Sequence, residues 1–157
     1  MKAKGTPDLR LKGFRLWVHG REFPDAQDYW TGNWLVISAE LHSGHGRAWV
    51  ERSACLMTAD LAHFLNRVDQ EDKDGGPSRW ELTLENPLEP EVACAFARTD
   101  AGLRAILTLT ANPTHELHRA CLNVSETEWQ DFKAQLHVLV ERYPVRAIPE
   151  EMQGEQL

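Results

Sequence analysis

The sequence predicts an α+β domain: an antiparallel twisted sheet or small β-sandwich of about seven strands, covered by two helices. Short segments of alternating apolar and polar residues fill much of the chain, and the later ones are joined by turns too short for parallel crossovers. Two longer segments repeat apolar residues at helical spacing. A length of 157 residues suffices for one hydrophobic core. We therefore expect a single domain over residues 1–143, followed by a flexible C-terminal tail over residues 144–157.

Alternation is clearest in the first half of the chain. Residues 9–18 predict a first strand, with a change of phase near Gly13 that indicates a bulge. Residues 35–41 predict a second strand, and a turn at residues 43–46 leads into a return strand around Trp49. The second and third strands are therefore expected to form a hairpin.

The first helix is predicted to start at Thr58, which would cap it, with Asp60 in the first turn. Four apolar residues at helical spacing would share its buried face: Leu61, Phe64, Leu65 and Val68. The polar run 69–78 is expected to form a solvated loop, since it contains a Gly-Gly-Pro sequence. Its carboxylates lack the spacing of a calcium loop.

The second half of the chain predicts four more strands and a second helix. The strand-like segments are residues 80–84, 92–96, 103–109 and 120–124. Because short turns separate them, an antiparallel meander is expected. Ser125 and Glu128 have the spacing of a capping box, which would open the second helix, and Pro144 would end it.

The charge of the chain is unevenly distributed. The formal net charge is −7, with +4 in residues 1–20 and −11 in residues 21–157. An acidic body disfavours nucleic acid as a partner, because phosphates require clustered Lys and Arg. It would suit a basic protein partner, although acidity also serves solubility alone. No apolar stretch approaches the ~20 residues needed to span a bilayer, and no secretory signal pattern is present. We therefore expect a cytoplasmic protein with no membrane partner.

The three cysteines predict thiols rather than disulfides. Cys55, Cys94 and Cys121 are an odd number, widely spaced and flanked by apolar residues. Reduced core thiols of a cytosolic protein are the expected state. No Cys-x-x-Cys pair exists to support a zinc site.

The chain carries no catalytic signature. It has no Gly-x-Ser-x-Gly motif and no glycine-rich phosphate loop. Two histidine pairs at i, i+3 spacing, His42/His45 and His115/His118, could bind a metal if their turns met in space. Surface histidines in polar loops are the interpretation we favour. The sequence therefore predicts a protein that is not an enzyme and has no cofactor.

The most unusual segment is Gly-Arg-Glu-Phe-Pro-Asp-Ala-Gln-Asp-Tyr-Trp-Thr-Gly-Asn-Trp-Leu, residues 20–35. It is too irregular for a regular element and too aromatic for an ordinary loop, so it is either a structural plug or a recognition surface. Trp34 precedes a predicted strand, which favours a structural role. Aromatic residues surrounded by acids are typical of protein-binding hot spots. The residues that we predict to face a partner are Glu22, Asp25, Asp28, Tyr29 and Trp30.

This segment also resembles the signature of the WapI-type immunity proteins, partners of bacterial polymorphic toxins. The matching residues are Glu22, Phe23, Pro24, Asp28, Tyr29, Trp30, Asn33, Trp34 and Leu35. The predicted order of elements, with a hairpin, a helix, further strands and a C-terminal helix, also resembles that family. The resemblance implies a non-enzymatic inhibitor that binds the C-terminal toxin domain of a cognate toxin. Many such toxins are nucleases with basic channels, which an acidic body would complement. A small-molecule or metal-binding domain and a structural adaptor subunit remain open as alternatives.

Overall fold

The computed structural model describes residues 5–73, 79–111 and 114–153. The strands in these ranges are β1 (Leu9–Leu11), β2 (Phe14–Arg21), β3 (Trp34–Ser43), β4 (Gly46–Met57), β5 (Trp80–Leu84), β6 (Val92–Thr99), β7 (Gly102–Thr110) and β8 (Leu117–Val124). The helices are α1 (Tyr29–Gly32), α2 (Thr58–Lys73) and α3 (Glu126–Arg142), followed by a 3-10 helix at Glu150–Met152. The predicted α+β class is confirmed.

The strands form two antiparallel sheets. Strands β1-β2-β3-β4 make the first sheet and strands β5-β6-β7-β8 the second, each in sequence order. The predicted hairpin is β3 with β4, and the predicted meander is the whole second sheet, with no crossover between its strands. Both predictions are confirmed.

The first predicted strand is wrong, because residues 9–18 do not form one bulged strand. They form most of a hairpin, in which Leu11 of β1 pairs with Phe14 of β2 across a two-residue turn. Lys12 in this turn has a positive φ of 50°. A Cβ at Gly13 would lie 2.2 Å from the carbonyl oxygen of His42, so the neighbouring strand requires glycine there. The change of phase in the alternation therefore marks this turn. The turn divides the predicted first strand into β1 and β2, which raises the number of strands from the predicted seven to eight in the described residues.

The start of the first long helix, α2, differs from the prediction. Thr58 is the first residue of α2 rather than its cap, and its hydroxyl donates instead to Oδ1 of Asn33 at 2.9 Å. The carboxylate of Asp60 accepts the backbone N–H of Met57 at 2.7 Å and so caps this end. Burial raises the pKa of Asp60.

The end of α2 also lies further along the chain than predicted. Residues 69–73 continue the helix instead of starting a loop, and residues 74–78 lie outside the described residues. Asp72 forms an ion pair with Lys133 of α3, and Asp69 lies 3.5 Å from His137 of the same helix. These contacts with α3 extend α2 through a polar stretch that the sequence alone does not assign to a helix.

The capping box of α3 is confirmed. The Ser125 hydroxyl accepts the backbone N–H of Glu128 at 3.1 Å, and the Glu128 carboxylate accepts that of Ser125 at 2.9 Å. The hydrogen bond from the Ser125 backbone lowers the pKa of Glu128.

One hydrophobic cluster joins both sheets and both long helices. An aromatic group forms part of it: the Phe96 ring of β6 lies 4.9 Å from Trp129 and 5.3 Å from Phe132 of α3. Phe64 of α2 lies 5.7 Å from the same ring, and the predicted apolar face of α2 is buried. Cys55 and Cys94 are buried free thiols as predicted, whereas Cys121 is exposed and its placement in the core was wrong.

At its start the predicted C-terminal tail, residues 144–157, contacts the body through Pro144 and Arg146, and its flexibility stays a prediction. The Arg21 guanidinium donates to the carbonyl of Pro144 at 2.5 Å, and the backbone N–H of Arg146 donates to Oδ1 of Asn33 at 2.8 Å. Backbone groups of this segment therefore have partners in the first sheet and the loop that follows β2. Residues 154–157 lie outside the described residues.

Candidate functional site

The connection between β2 and β3 is an exposed loop that contains α1. We call residues 22–33 the aromatic loop. The side chain of Trp30, in the middle of α1, is 64% exposed, and that of Phe23 is 48% exposed. Large apolar rings with this exposure are candidates for a binding surface, because burial against a partner would remove them from water.

Three carboxylates predicted to face a partner lie on this surface. Glu22, Asp25 and Asp28 are all exposed. None of them forms an ion pair with another described residue. Asp28 has a second role, since it accepts the backbone N–H of Thr31 at 2.8 Å and caps α1. This hydrogen bond lowers the pKa of Asp28, so the carboxylate stays charged in neutral solution.

Tyr29 points into the molecule, whereas the sequence predicted that it would face a partner. Its side chain is only 7% exposed, because α1 turns it inward. Its ring meets that of Trp30 edge to face at a centroid distance of 4.9 Å and an interplanar angle of 89°. Burial, with a smaller contribution from Asp60, raises the pKa of Tyr29. Tyr29 is thus a support beneath Trp30, whereas Trp34 is half-buried at the start of β3.

Asn33 joins the aromatic loop to the rest of the molecule. It is fully buried, and its Nδ2 donates to the carbonyls of Tyr29 at 2.8 Å and Arg146 at 3.0 Å. Its Oδ1 accepts from the Thr58 hydroxyl, the Arg146 backbone N–H and the Arg21 guanidinium. One amide side chain therefore satisfies groups from four parts of the chain. The sequence indicates Asn33 only as part of the motif, because most of its partners are distant in sequence.

Two arginines bind backbone carbonyls around the loop. Arg21 donates to Gly32 O at 2.7 Å, at the C-terminal end of α1, where a cation is favoured. Arg146 donates through Nη1 to Pro24 O at 2.6 Å and to Ala26 O at 2.9 Å. Burial, and then the charge of Arg146, lowers the pKa of Arg21. Both cations contact the inner side of the loop, while its carboxylates lie exposed.

Close packing fixes the loop further at Gly32. A Cβ at this position would lie 2.5 Å from the carbonyl oxygen of Ala26. Only glycine allows this approach of two backbone segments. The hydrogen bonds and this contact together give the exposed Trp30 a defined position.

The histidine pairs do not build a metal centre within the part of the chain that the structure describes. There, no group of three or more His, Cys, Asp or Glu residues is arranged to hold a metal ion. His42 lies 3.4 Å from Glu40, and His118 lies 3.6 Å from Glu116. One histidine of each pair therefore lies next to a carboxylate of its own strand or of the adjacent turn.

Fold and site together define a small α+β domain with two antiparallel meanders and a fixed, acidic, aromatic loop between strands β2 and β3. The model of the WapI-like immunity protein family matches residues 8–144, which is most of the chain and includes the aromatic loop. The chain belongs to this family, so its role is that of an immunity protein. The comparisons with curated proteins and with solved structures gave no match. Within the described ranges, no helix has both the length and the apolar character to cross a membrane.

Proposed function

We propose that this protein neutralises a bacterial polymorphic toxin by binding its C-terminal toxin domain, without catalysis, through the aromatic loop. One observation carries the proposal: Trp30 is exposed to solvent, although the loop that bears it is held in place by hydrogen bonds and close packing. Tryptophan is among the residues that most often dominate binding energy at protein interfaces. Membership of an immunity protein family supports a toxin as the partner.

The anchoring of the loop supports tight binding. A loop that is ordered before association loses less conformational entropy when it binds. Asn33, Arg21 and Arg146 provide that order from the inner side. The exposed side chains of the loop include Phe23 and Trp30 as apolar groups and the carboxylates of Glu22, Asp25 and Asp28. Aromatic residues are enriched at the centre of specific interfaces, and polar residues form their rim.

Charge supports a basic surface as the target. Residues 21–157 carry a net charge of −11, and the loop carboxylates form no ion pairs with described residues. A nuclease toxin with a basic substrate channel would be attracted over several ångströms and captured quickly. We propose such a nuclease as the partner and the cytoplasm, where its substrates lie, as the place of action.

Binding of the toxin domain by matched variants tests the proposal. The partner is taken from the reading frame that adjoins this gene, where a large repeat-containing protein with a short C-terminal domain is expected. Trp30→Ala should weaken binding by about 30-fold or more, the scale of a hot-spot residue. Ile106→Ala is the control, since Ile106 is 42% exposed on β7 of the second sheet. Equal binding by wild type and Trp30→Ala would refute the loop as the contact.

The proposed electrostatic attraction between the loop and a basic toxin surface is tested separately. Asp25→Arg should slow association at low salt, and the difference from wild type should shrink at high salt. Binding that is insensitive to both salt and this charge reversal would contradict a basic channel as the target. Genes for metabolic enzymes on both sides, with no toxin frame, would instead favour the small-molecule-binding alternative.

A further inference from the structure

A groove on the outer face of the first sheet is not used by the proposed function. It has a volume of about 710 Å³. Its lining residues are Gly5, Thr6, Pro7, Arg10, Arg15, Trp17, Glu40, His42 and Arg47. The volume lies within the range of sites that enclose a ligand or several side chains.

The groove is basic although the protein is acidic. Three arginines line it, at positions 10, 15 and 47, and Glu40 is its single carboxylate. Glu40 lies 3.2 Å from Arg15 and 3.2 Å from Arg47, and its side chain is only 12% exposed. One carboxylate cannot neutralise three guanidinium groups, so an excess of positive charge remains, while the whole chain has a net charge of −7.

Aromatic surface accompanies this charge. Trp17 lines the groove and donates its indole N–H to the carbonyl of Gly5 at 3.1 Å, so its ring is fixed. The Arg47 guanidinium lies 5.5 Å from the centre of the Trp49 ring, a cation–π contact at the margin. Arginine and tryptophan together are typical of interface centres. The groove therefore suits a segment that carries both carboxylates and an apolar side chain.

The molecule itself displays such a segment in the aromatic loop, where Trp30 and Phe23 are exposed together with three carboxylates. The loop of one molecule does not reach its own groove. Strand β3 begins at Trp34, directly after the loop, and Glu40 of the groove lies six residues further along the same strand. Six residues of a β-strand span about 20 Å. The anchors at Asn33, Arg21 and Arg146 hold the loop at its own end of the sheet.

We propose that the basic groove binds the aromatic loop of a second copy of this chain. Loop and groove lie at opposite ends of β3, so two copies related by a two-fold axis could each place a loop in the partner's groove. Such a dimer would cover Trp30 until a toxin displaced the second copy. The choice of occupant rests on charge: the groove carries an excess of arginines, and the loop of the same chain carries exposed carboxylates and aromatic rings.

Sedimentation of the full chain between about 10 and 500 µM tests this proposal. The wild type should associate in a concentration-dependent manner at about 50 mM salt and dissociate at about 500 mM. A groove variant, Arg10→Glu with Arg47→Glu, and a loop variant, Glu22→Arg with Asp25→Arg, should each associate at least about tenfold more weakly. Arg104→Glu, an exposed position on β7 of the second sheet, is the control and should associate like wild type.

Mixing the two double variants is the decisive measurement. Each loop then meets a groove of opposite charge, so the mixture should associate about as strongly as wild type. A monomeric wild type at the highest concentration would overturn the proposal, and so would a mixture that stays monomeric. Binding of a fluorescent oligothymidylate by wild type, lost in the groove variant while sedimentation is unchanged, would assign the groove to nucleic acid and also overturn it. None of these outcomes depends on the toxin.

Discussion

Asn33 and Arg146, which are 113 positions apart in sequence, hold each other by two hydrogen bonds in opposite directions. The Arg146 backbone N–H donates to Oδ1 of Asn33 at 2.8 Å, and Nδ2 of Asn33 donates to the Arg146 carbonyl at 3.0 Å. This pair joins the loop after β2 to the segment after α3. The geometry of the aromatic loop therefore depends on the segment that follows the last long helix.

Replacement of Asn33 by alanine should be strongly destabilising. The change leaves the Thr58 hydroxyl and the Arg146 backbone N–H without their partner next to a fully buried position. Unpaired buried donors cost about 1–3 kcal/mol each, so the free energy of unfolding should fall by about 2–4 kcal/mol. Urea denaturation measures this difference. Asn123→Ala, at an exposed position on β8, should change it by less than about 0.5 kcal/mol.

An Asn33→Ala protein as stable as the Asn123→Ala control would show that water replaces the lost hydrogen bonds. The buried connection would then not explain the position of the loop.

Replacement of Arg146 by alanine should loosen the loop while leaving the core intact. The change removes the two hydrogen bonds to Pro24 O and Ala26 O. Amide hydrogen exchange should become faster at Ala26 and Gly32, whose N–H groups donate within the loop, and stay unchanged in α3. The toxin complex should dissociate faster, since the loop must be ordered on binding. Arg119→Ala, exposed on β8, should change neither quantity.

Two substitutions of Asp28 separate its capping role from its charge. Asp28→Ser retains an N-cap oxygen for Thr31 but removes the carboxylate, whereas Asp28→Ala removes both. We expect serine to slow toxin association at low salt with little change in loop exchange, and alanine to affect both. Equal association rates for wild type and Asp28→Ser would exclude Asp28 from electrostatic steering.

The same cap predicts a dependence of loop order on pH. The pKa of Asp28 is lowered in the folded protein by its hydrogen bond with Thr31, so the folded state favours the ionised form. This contribution is complete above the ordinary pKa of an aspartate and is lost as the pH falls through the lower folded value. Chemical shifts of the Thr31 amide should follow this titration in wild type and lose it in Asp28→Ser.

The thiols should differ sharply in reactivity. Burial raises the pKa of Cys55 to about 12 and that of Cys94 to about 12, so neither forms the reactive thiolate at pH 8. Cys121 is exposed on β8. Intact-mass analysis after iodoacetamide treatment at pH 8 should show one modification on the native protein, and three after unfolding. Two or more on the native protein would contradict the buried positions.

Local pattern was enough to predict most regular elements. Alternation located the second sheet, and the capping box located the start of α3, because each signal lies within a few residues of its effect. The sequence does not predict the end of α2 because its contacts there, an ion pair with Lys133 and the approach to His137 of α3, involve residues distant in sequence. The turn at Lys12 and Gly13 resembled a bulge because both change the phase of alternation.

The candidate site was only partly predictable. Aromatic and acidic composition indicated the loop, but not which side of α1 would face inward, so Tyr29 was assigned to the surface. No local signal connects Asn33 with Arg146, and residues 144–153 contain too few apolar residues to predict the contacts at Pro144 and Arg146. Hydrogen bonds to backbone, rather than apolar burial, make these contacts.

The contact between Asn33 and Arg146 also sets an order in time. Ribosomal synthesis at about 5–20 residues per second separates these two positions by on the order of 10 s. During that interval the nascent loop lacks the carbonyl, N–H and guanidinium groups that later fix it. A growing chain therefore exposes the signature segment before it has its final shape, and competence to bind a partner arises only after Arg146 has been synthesised.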